Sequence, residues 1–139
     1  MTMNIALIIN PIAGMGGKVG LKGTDGADTL ARARKLDARP EAGKKADRAI
    51  KVFEEEASSH RFYVPAGKMG EDHLKHTEIP YRVFSHHGAE TSRDDTQFFL
   101  KKLLENKSID LVIFVGGDGT ARDLQEITGE ELPVIGIPA

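Results

Sequence analysis

Short apolar runs alternate with amphipathic segments along this 139-residue chain, and that alternation is the feature that most constrains its fold. Runs such as Asn4 to Ile9 and Ile109 to Val115 are nearly all apolar and are followed by turn residues. Such runs are typical of strands buried on both faces of a parallel sheet. Strands are predicted at about residues 4–9, 61–64, 81–84, 109–115 and 133–137. Helices are predicted at about residues 28–37, 43–58, 71–76 and 92–106, and from the turn at 116–120 to about 128.

This order of elements predicts the fold class. Strand and helix alternate at least four times, which indicates right-handed βαβ crossovers. We therefore expect an α/β protein with a three-layer, Rossmann-like parallel sheet and helices on both faces. The length fits one domain that spans residues 1–139, and no internal repeat or domain boundary interrupts it.

Two of the predicted helices carry a clear apolar face. The helix at about 43–58 repeats small and apolar residues at helical spacing, namely Ala46, Ala49, Ile50, Phe53 and Ala57. In the second, Ser92 stands three residues before Asp95, a variant of the box that starts a helix, and the helix is expected to end near Asn106. Four of its apolar residues are expected to face the core: Phe98, Phe99, Leu103 and Leu104.

Charge and composition exclude several classes of partner. The chain has 19 Lys and Arg against 21 Asp and Glu, so it lacks the basic field that sequence-independent binding of nucleic acid requires. It has no Cys, which excludes disulfides and thiolate metal sites. The apolar run from Ile5 to Ile9 is too short for a membrane span or a signal sequence, so we expect no membrane association and a cytoplasmic location.

The first glycine-rich segment follows the first predicted strand. Pro11 to Asp28 is aperiodic and too long for an ordinary connection, which favours a ligand-binding loop. It is not a dinucleotide fingerprint, because the frame that starts at Gly14 reaches Val19 where a third glycine is needed. It is not a P-loop either, because Val19 follows Lys18 where Ser or Thr is required. Lys18 and Lys22 can bind phosphate as point charges. It is equally open that both are solvated loop lysines without a ligand.

The second glycine-rich segment follows the strongest predicted strand. Gly116-Gly117-Asp118-Gly119-Thr120 places glycines, a carboxylate and a hydroxyl where a strand turns into a helix. The three glycines permit positive φ and let a phosphate or ribose touch the backbone. Asp118 can accept a proton from a substrate hydroxyl or hold Mg²⁺. The alternative is an Asp-Gly turn without a ligand. This interpretation is the weaker one, because two glycines at the end of a buried strand precede the turn.

Taken together, five segments of the chain resemble the ATP-NAD kinase family, including the branch named for the acetoin-catabolism protein X. The segments are Asn10 to Gly17, Val19 to Gly26, Pro65 to Asp72, Gly116 to Asp123 and Gly136 to Ala139. The GGDGT element is shared with diacylglycerol, sphingosine and 6-phosphofructokinase-like kinases and so indicates the superfamily. The two longer glycine segments are similar to this branch in particular, and the resemblance extends over the whole chain.

The resemblance implies both a domain type and a reaction. The fold expected is the amino-terminal domain of the NAD kinase and diacylglycerol kinase type. The activity implied is transfer of a phosphoryl group from ATP to the 2′-hydroxyl of NAD to give NADP, with ATP, Mg²⁺ and NAD as cofactors and small-molecule nucleotides as partners. Family members continue past the GIPA element into a β-rich second domain that supplies much of the NAD pocket. This chain alone is therefore expected to be inactive.

The resemblance also implies roles for individual residues. In NAD kinases the acid that matches Asp118 is assigned to the 2′-hydroxyl of the adenosine ribose, so Asp118 is the expected catalytic residue. The expected nucleotide-binding residues are Asn10, Gly14, Gly16, Gly17, Lys22, Gly116, Gly117, Gly119 and Thr120. No residue is assigned as a metal ligand.

Other interpretations of the whole chain stay open at this point. One is a non-catalytic nucleotide-binding or regulatory module of the same superfamily with another ligand. A second is a flavodoxin-like domain that binds another phosphorylated ligand. The sequence also leaves open the true phosphoryl acceptor, the choice between ATP and polyphosphate as donor, and whether the chain forms a homo-oligomer.

Two further pairs of polar residues, His73 with His76 and Arg122 with Asp123, each allow a structural and a functional interpretation. His73 and His76 have a spacing that can bind a metal, but no third ligand accompanies them. We therefore predict that they are exposed histidines without a metal. Arg122 and Asp123 are expected in the first turn of the helix after the GGDGT element. There Asp123 either favours the helix N-terminus or contacts Mg²⁺ or substrate.

Overall fold

The described part of the chain folds as an alternation of strands and helices. The computed structural model describes residues 2–13, 42–56, 60–86 and 93–139. The strands are β1 (Asn4–Ile9), β2 (Arg61–Pro65), β3 (Tyr81–Ser85), β4 (Leu111–Gly116) and β5 (Val134–Pro138). The helices are α1 (Ala42–Glu56), α2 (Glu71–Leu74), α3 (Arg93–Asn106) and α4 (Asp118–Thr128), with a 3₁₀ turn at Gly67–Met69. The predicted helix at about 28–37 lies outside the described residues.

The five strands form one parallel sheet in the order β3-β2-β1-β4-β5. This is the order of a Rossmann-type sheet, whereas a flavodoxin-like sheet has the order 2-1-3-4-5. The flavodoxin-like alternative is therefore wrong. β1 pairs with β4 from Ile5 opposite Leu111 to Ile9 opposite Val115. The order of strands reverses between β1 and β4, so the switch point of the sheet lies there.

Side chains of β1 alternate between two apolar layers, as both faces of a covered sheet require. Ile5 and Leu7 pack in one cluster with Ile50 of α1 and Leu74 of α2. On the other face, Ala6 and Ile8 pack in a second cluster with Phe99 of α3 and Leu124 of α4. This cluster contains no residue of α1 or α2. The expected three-layer α/β fold is confirmed.

The inner face of α3 differs from the sequence-based expectation. Phe99 and Leu103 are fully buried and Leu104 packs against the same core, as predicted. Phe98, however, is 58% exposed, so its predicted core position was wrong. The buried stripe is Thr96, Phe99, Leu100 and Leu103. These positions follow i, i+3, i+4, i+7 spacing, and Phe98 falls between them on another face.

The short helix α2 ends earlier than predicted. It stops at Leu74 rather than near residue 76. The backbone N–H and the side-chain hydroxyl of Thr77 both donate to the Leu74 carbonyl, at 3.0 and 2.7 Å. Thr77 thereby satisfies a carbonyl that a longer helix would have bonded, and the chain turns toward β3.

No helix in the described ranges is both long and apolar enough to cross a membrane.

Candidate functional site

The candidate site lies at the carboxyl ends of β1 and β4. Ligands of open parallel sheets bind beyond the carboxyl ends of the strands at the point where the strand order reverses. Asn10 follows β1 directly, and its N–H donates to the carbonyl of Val115 in β4 at 2.9 Å. The GGDGT element runs from the last residue of β4 into α4. The two segments that the sequence singled out near Asn10 and Asp118 therefore meet at this edge.

Asn10 ties the two loops together through its side chain. Its Nδ2 donates to Oγ1 of Thr120 at 3.1 Å, across 110 positions of sequence. Its Oδ1 accepts the N–H of Ile12 at 3.2 Å, which forms an Asx turn after β1. Both polar atoms of Asn10 are thus engaged within the protein. This geometry gives Asn10 a positioning role between the two loops.

Gly116 is required by close packing. A Cβ at Gly116 would lie 2.7 Å from Oγ1 and 2.9 Å from Cβ of Thr120, which is closer than real side chains approach. Thr120 is buried and held by Asn10, so it cannot move aside without breaking that hydrogen bond. Only glycine fits at this end of β4.

Gly117 has a different environment. Its φ and ψ are −114° and −162°, which is extended backbone that any residue adopts. A Cβ there would meet no atom within 4 Å. The glycines of this turn permit positive φ but do not adopt it: among the described glycines, positive φ occurs at Gly67 and Gly129. Gly117 leaves open space beside the backbone, which is what close approach of a phosphate or ribose requires.

The N-terminus of α4 has no side-chain cap. Gly117 is the N-cap residue and forms no capping hydrogen bond through a side chain. The first helical bond runs from the N–H of Ala121 to the carbonyl of Gly117, at 3.0 Å. The N–H groups of the residues before Ala121, including Gly119 and Thr120, therefore have no carbonyl partner within the helix. Together with the helix dipole they favour an anion at the switch point.

Asp118 is the first residue of α4 and its side chain is exposed. Within the described part of the chain its carboxylate forms no hydrogen bond or ion pair. It is therefore free to accept a hydrogen bond from a substrate hydroxyl. The described residues contain no group of three or more His, Asp or Glu that could hold a metal ion. A Mg²⁺ ion at this edge would fit the pattern in which one carboxylate and the substrate phosphates hold it.

Asp123 forms part of a polar cluster between α3 and α4. It lies in the second turn of α4, not the first, because the helix already begins at Asp118. Its Oδ1 accepts from Nε of Arg93 at 2.9 Å. Arg93 also contacts Glu126, and Nε2 of Gln97 donates to the carboxylate of Glu126 at 2.9 Å. These contacts give Asp123 a structural role between α3 and α4, which differs from the role predicted for it at the helix N-terminus.

The cluster shifts the pKa of two exposed groups. The hydrogen bond from Gln97, followed by the hydrogen bond and charge of Arg93, lowers the pKa of Glu126 below its ordinary 4.5. The hydrogen bond to Glu126 and the charge of that carboxylate raise the pKa of Arg93 above its ordinary value. Both groups are therefore charged at neutral pH, and the contact between α3 and α4 is ionic.

The loop after β2 reaches the same edge of the sheet. The N–H of Ala66 donates to the Ser85 carbonyl at 2.8 Å, and the N–H of Gly67 donates to Oε1 of Glu71 at 3.0 Å. Gly67 has a φ of 62°, which explains the glycine. Lys68 in this turn is exposed and has no ion-pair partner in the described ranges. Lys68 was not among the predicted site residues, although the Gly-Lys-Met-Gly pattern could have indicated it.

His73 has a partner other than a metal. Its Nδ1 lies 2.7 Å from Oδ1 of Asp47, which joins α2 to α1. His76 is exposed. The contact with Asp47 favours the structural interpretation of His73.

Several predicted nucleotide-binding residues lie outside the described residues. They are Gly14, Gly16, Gly17 and Lys22, together with Lys18. The structure therefore brings together Asn10, Gly116, Gly117, Asp118, Gly119 and Thr120.

The fold and the edge just described define a class of protein. A Rossmann-ordered parallel sheet with an open helix N-terminus and a free carboxylate at its switch point is typical of nucleotide-binding domains. The profile of the family described as ATP-NAD kinase N-terminal domain matches residues 5–139. The chain belongs to that family. No curated protein and no solved structure matches it.

Proposed function

We propose that the parent protein of this domain transfers the γ-phosphoryl group of ATP to the 2′-hydroxyl of NAD, which gives NADP and ADP. Membership of the ATP-NAD kinase N-terminal domain family supports the reaction class. The observation that carries the proposal is the unpaired carboxylate of Asp118 beside the uncapped N-terminus of α4. A base and an anion-binding backbone thus stand next to each other at the switch point of the sheet.

In this proposal the GGDGT element binds the nucleotide through its backbone. Gly117 leaves the space through which a phosphate or ribose approaches, and the free N–H groups of Gly119 and Thr120 donate to its oxygens. Gly116 allows the close packing on Thr120, and Asn10 fixes Thr120 relative to β1. Gly14, Gly16, Gly17 and Lys22 remain predicted contacts to the same nucleotide.

Asp118 acts as the general base. It accepts the proton of the 2′-hydroxyl while the hydroxyl oxygen forms a bond to the γ-phosphorus and the bond to the bridging β–γ oxygen breaks. ADP leaves with that bridging oxygen. Mg²⁺ bound with ATP supplies charge neutralisation at the phosphates. The phosphate oxygens and water would hold it, because Mg²⁺ usually keeps several waters when it binds with substrate phosphates, and Asp118 keeps its role as the base.

The proposed reaction needs more than this domain. In the family that the chain resembles, a β-rich second domain supplies much of the NAD pocket. We propose that the domain described here binds nucleotide and that turnover takes place only in the longer parent, in the cytoplasm.

Binding to this domain is tested by calorimetric titration with ATP, NAD and NADP, each with and without Mg²⁺. A ligand that binds the folded state also raises the melting temperature by mass action. Saturable binding that Gly117→Val abolishes supports the site. Binding without turnover in the longer parent would favour the non-catalytic module instead.

A further inference from the structure

A second group of cations lies at the opposite edge of the sheet, where the strands begin. Arg61 is the first residue of β2, Arg82 is the second residue of β3, and Lys107 follows the last residue of α3. These residues line an open cavity of about 380 Å³. One strand length, roughly 17–20 Å, separates this edge from the carboxyl ends of the same strands. The cavity is therefore distinct from the site at Asp118.

The register of the sheet explains why these cations converge. Tyr63 pairs with Arg82 across β2 and β3, so their side chains share one face of the sheet. Arg61 lies two residues before Tyr63 on the same strand and shares that face too. Tyr63 packs with residues of α3, and Lys107 emerges where α3 ends on that face.

Within the described part of the chain, none of the three cations is neutralised by a partner. Arg61, Arg82 and Lys107 have no ion pair or side-chain hydrogen bond with any residue of the described ranges. The C-terminus of α3 contributes roughly half a negative charge at this corner. The backbone N–H of Lys107 already binds the carbonyl of Leu103, and the Asn106 side chain binds that of Lys102. The carboxylate of Asp110 also lies at this edge, where it accepts the N–H of Asn4, the residue that pairs with Arg61. Three positive charges exceed that negative charge and the partial charge together, so the corner attracts an anion.

Tyr63 provides the second indication of a ligand. The residue is only 6% exposed, and its hydroxyl has no hydrogen-bond partner among the described residues. No buried side-chain oxygen or nitrogen in those ranges is both sealed from solvent and unpaired. The accessible part of Tyr63 therefore includes its hydroxyl, and Tyr63 lines the cavity. Tyr63 therefore carries an unused donor and is itself one of the residues that line the cavity.

We propose that this cavity binds the phosphate group of a phosphorylated small molecule, as a site separate from the nucleotide site. Two guanidinium groups can each form paired hydrogen bonds with phosphate oxygens, and Lys107 adds a point charge. The Tyr63 hydroxyl donates to a remaining oxygen. The volume lies in the range of small-molecule sites. This inference is independent of the proposed kinase function.

Residue-resolved NMR titration of the 139-residue chain with pyrophosphate, at constant ionic strength, tests the proposal. We expect saturable shifts of the backbone amides of Arg61, Arg82 and Lys107. Arg61→Gln and Arg82→Gln should each weaken this binding about tenfold or more, since each removes charge-assisted hydrogen bonds. Tyr63→Phe keeps the core ring and should weaken it several-fold. A parallel titration with inorganic phosphate separates recognition of a single phosphate from recognition of a diphosphate.

Two controls make the test decisive. Arg48 is an exposed cation of α1 without an ion pair in the described ranges, so Arg48→Gln removes the same charge elsewhere and should leave the binding unchanged. Gly117→Val blocks the nucleotide site and should also leave these shifts in place. Shifts confined to residues 117–121, or equal weakening by Arg48→Gln, would overturn the proposal. Unchanged amide spectra of the free variants confirm that each one folds.

Discussion

Nδ2 of Asn10 donates a hydrogen bond to Oγ1 of Thr120 at 3.1 Å, and this contact joins the loop after β1 to the first turn of α4. It lies at the point where the strand order reverses, beyond the carboxyl ends of the paired strands β1 and β4. The geometry of the GGDGT element therefore depends on a residue more than a hundred positions away.

The coupling between Asn10 and Thr120 can be measured by a double-mutant cycle. Asn10→Ala and Thr120→Val should each destabilise the fold, and the coupling free energy between them should be about 0.5–1.5 kcal/mol, the net value of one hydrogen bond. Urea denaturation of the four proteins gives this value. Strictly additive effects would show that the contact is energetically unimportant and would remove the positioning role of Asn10.

The two adjacent glycines of the GGDGT element should respond in opposite ways. Gly116→Ala places a Cβ 2.7 Å from Thr120 Oγ1, so we expect a loss of about 1–3 kcal/mol in the free energy of unfolding. Gly117→Val introduces no contact within 4 Å at Cβ and no φ strain, so the melting temperature should stay close to that of the wild type. Its methyl groups fill the space proposed for the nucleotide, so affinity for ATP or NAD should fall sharply.

Calorimetry below the melting point of both variants separates these effects. If Gly117→Val bound nucleotide as well as the wild type, the GGDGT element would lie outside the site. The Gly14 to Gly26 segment would then be the remaining candidate.

The sequence predicted the strands and most helices because their apolar periodicity is local. It did not predict the Asn10 to Thr120 contact, since periodicity locates strands but does not say which strands become neighbours. It also could not distinguish Phe98 from Phe99, because two adjacent aromatic residues are equally apolar and the packing of α3 on the sheet decides which one is buried. Gly116 shows a similar limit. The sequence singled out this glycine, but glycine is needed there because of the close contact with Thr120 and not because of a positive φ.

The polar cluster between α3 and α4 predicts a pH dependence of stability. The pKa of Glu126 is lowered in the folded state, so its contribution is fully present above the unfolded value near 4.5 and is lost as the pH falls through the folded value. Glu126→Gln should therefore be less stable than the wild type at pH 7, and the difference should shrink in acid below that range. Both partners are exposed, so the difference will be small and will weaken in high salt.

Glu130→Gln is the matched control for this measurement, because Glu130 is exposed and has no partner in the described ranges. Urea denaturation at pH 7 and at acid pH compares the two variants. An equal pH dependence of both variants would contradict the account of Glu126.

The isolated 139-residue chain should fold and bind nucleotide but should not produce NADP, because the second domain supplies much of the NAD pocket in the family it resembles. A coupled assay for NADP with purified chain, ATP, Mg²⁺ and NAD measures this. Formation of NADP that Asp118→Ala abolishes would show that one domain suffices.

The most direct test of the central claim is kcat of the longer parent protein carrying Asp118→Asn. The substitution is nearly isosteric and removes the base, so kcat should fall by about 10² or more while nucleotide affinity and fold are retained. Asp123→Asn is the matched control, since Asp123 is engaged with Arg93, and its kcat should stay within a few-fold of wild type. A kcat of Asp118→Asn that also stays within a few-fold of wild type would contradict the account and leave Asp118 as a turn residue.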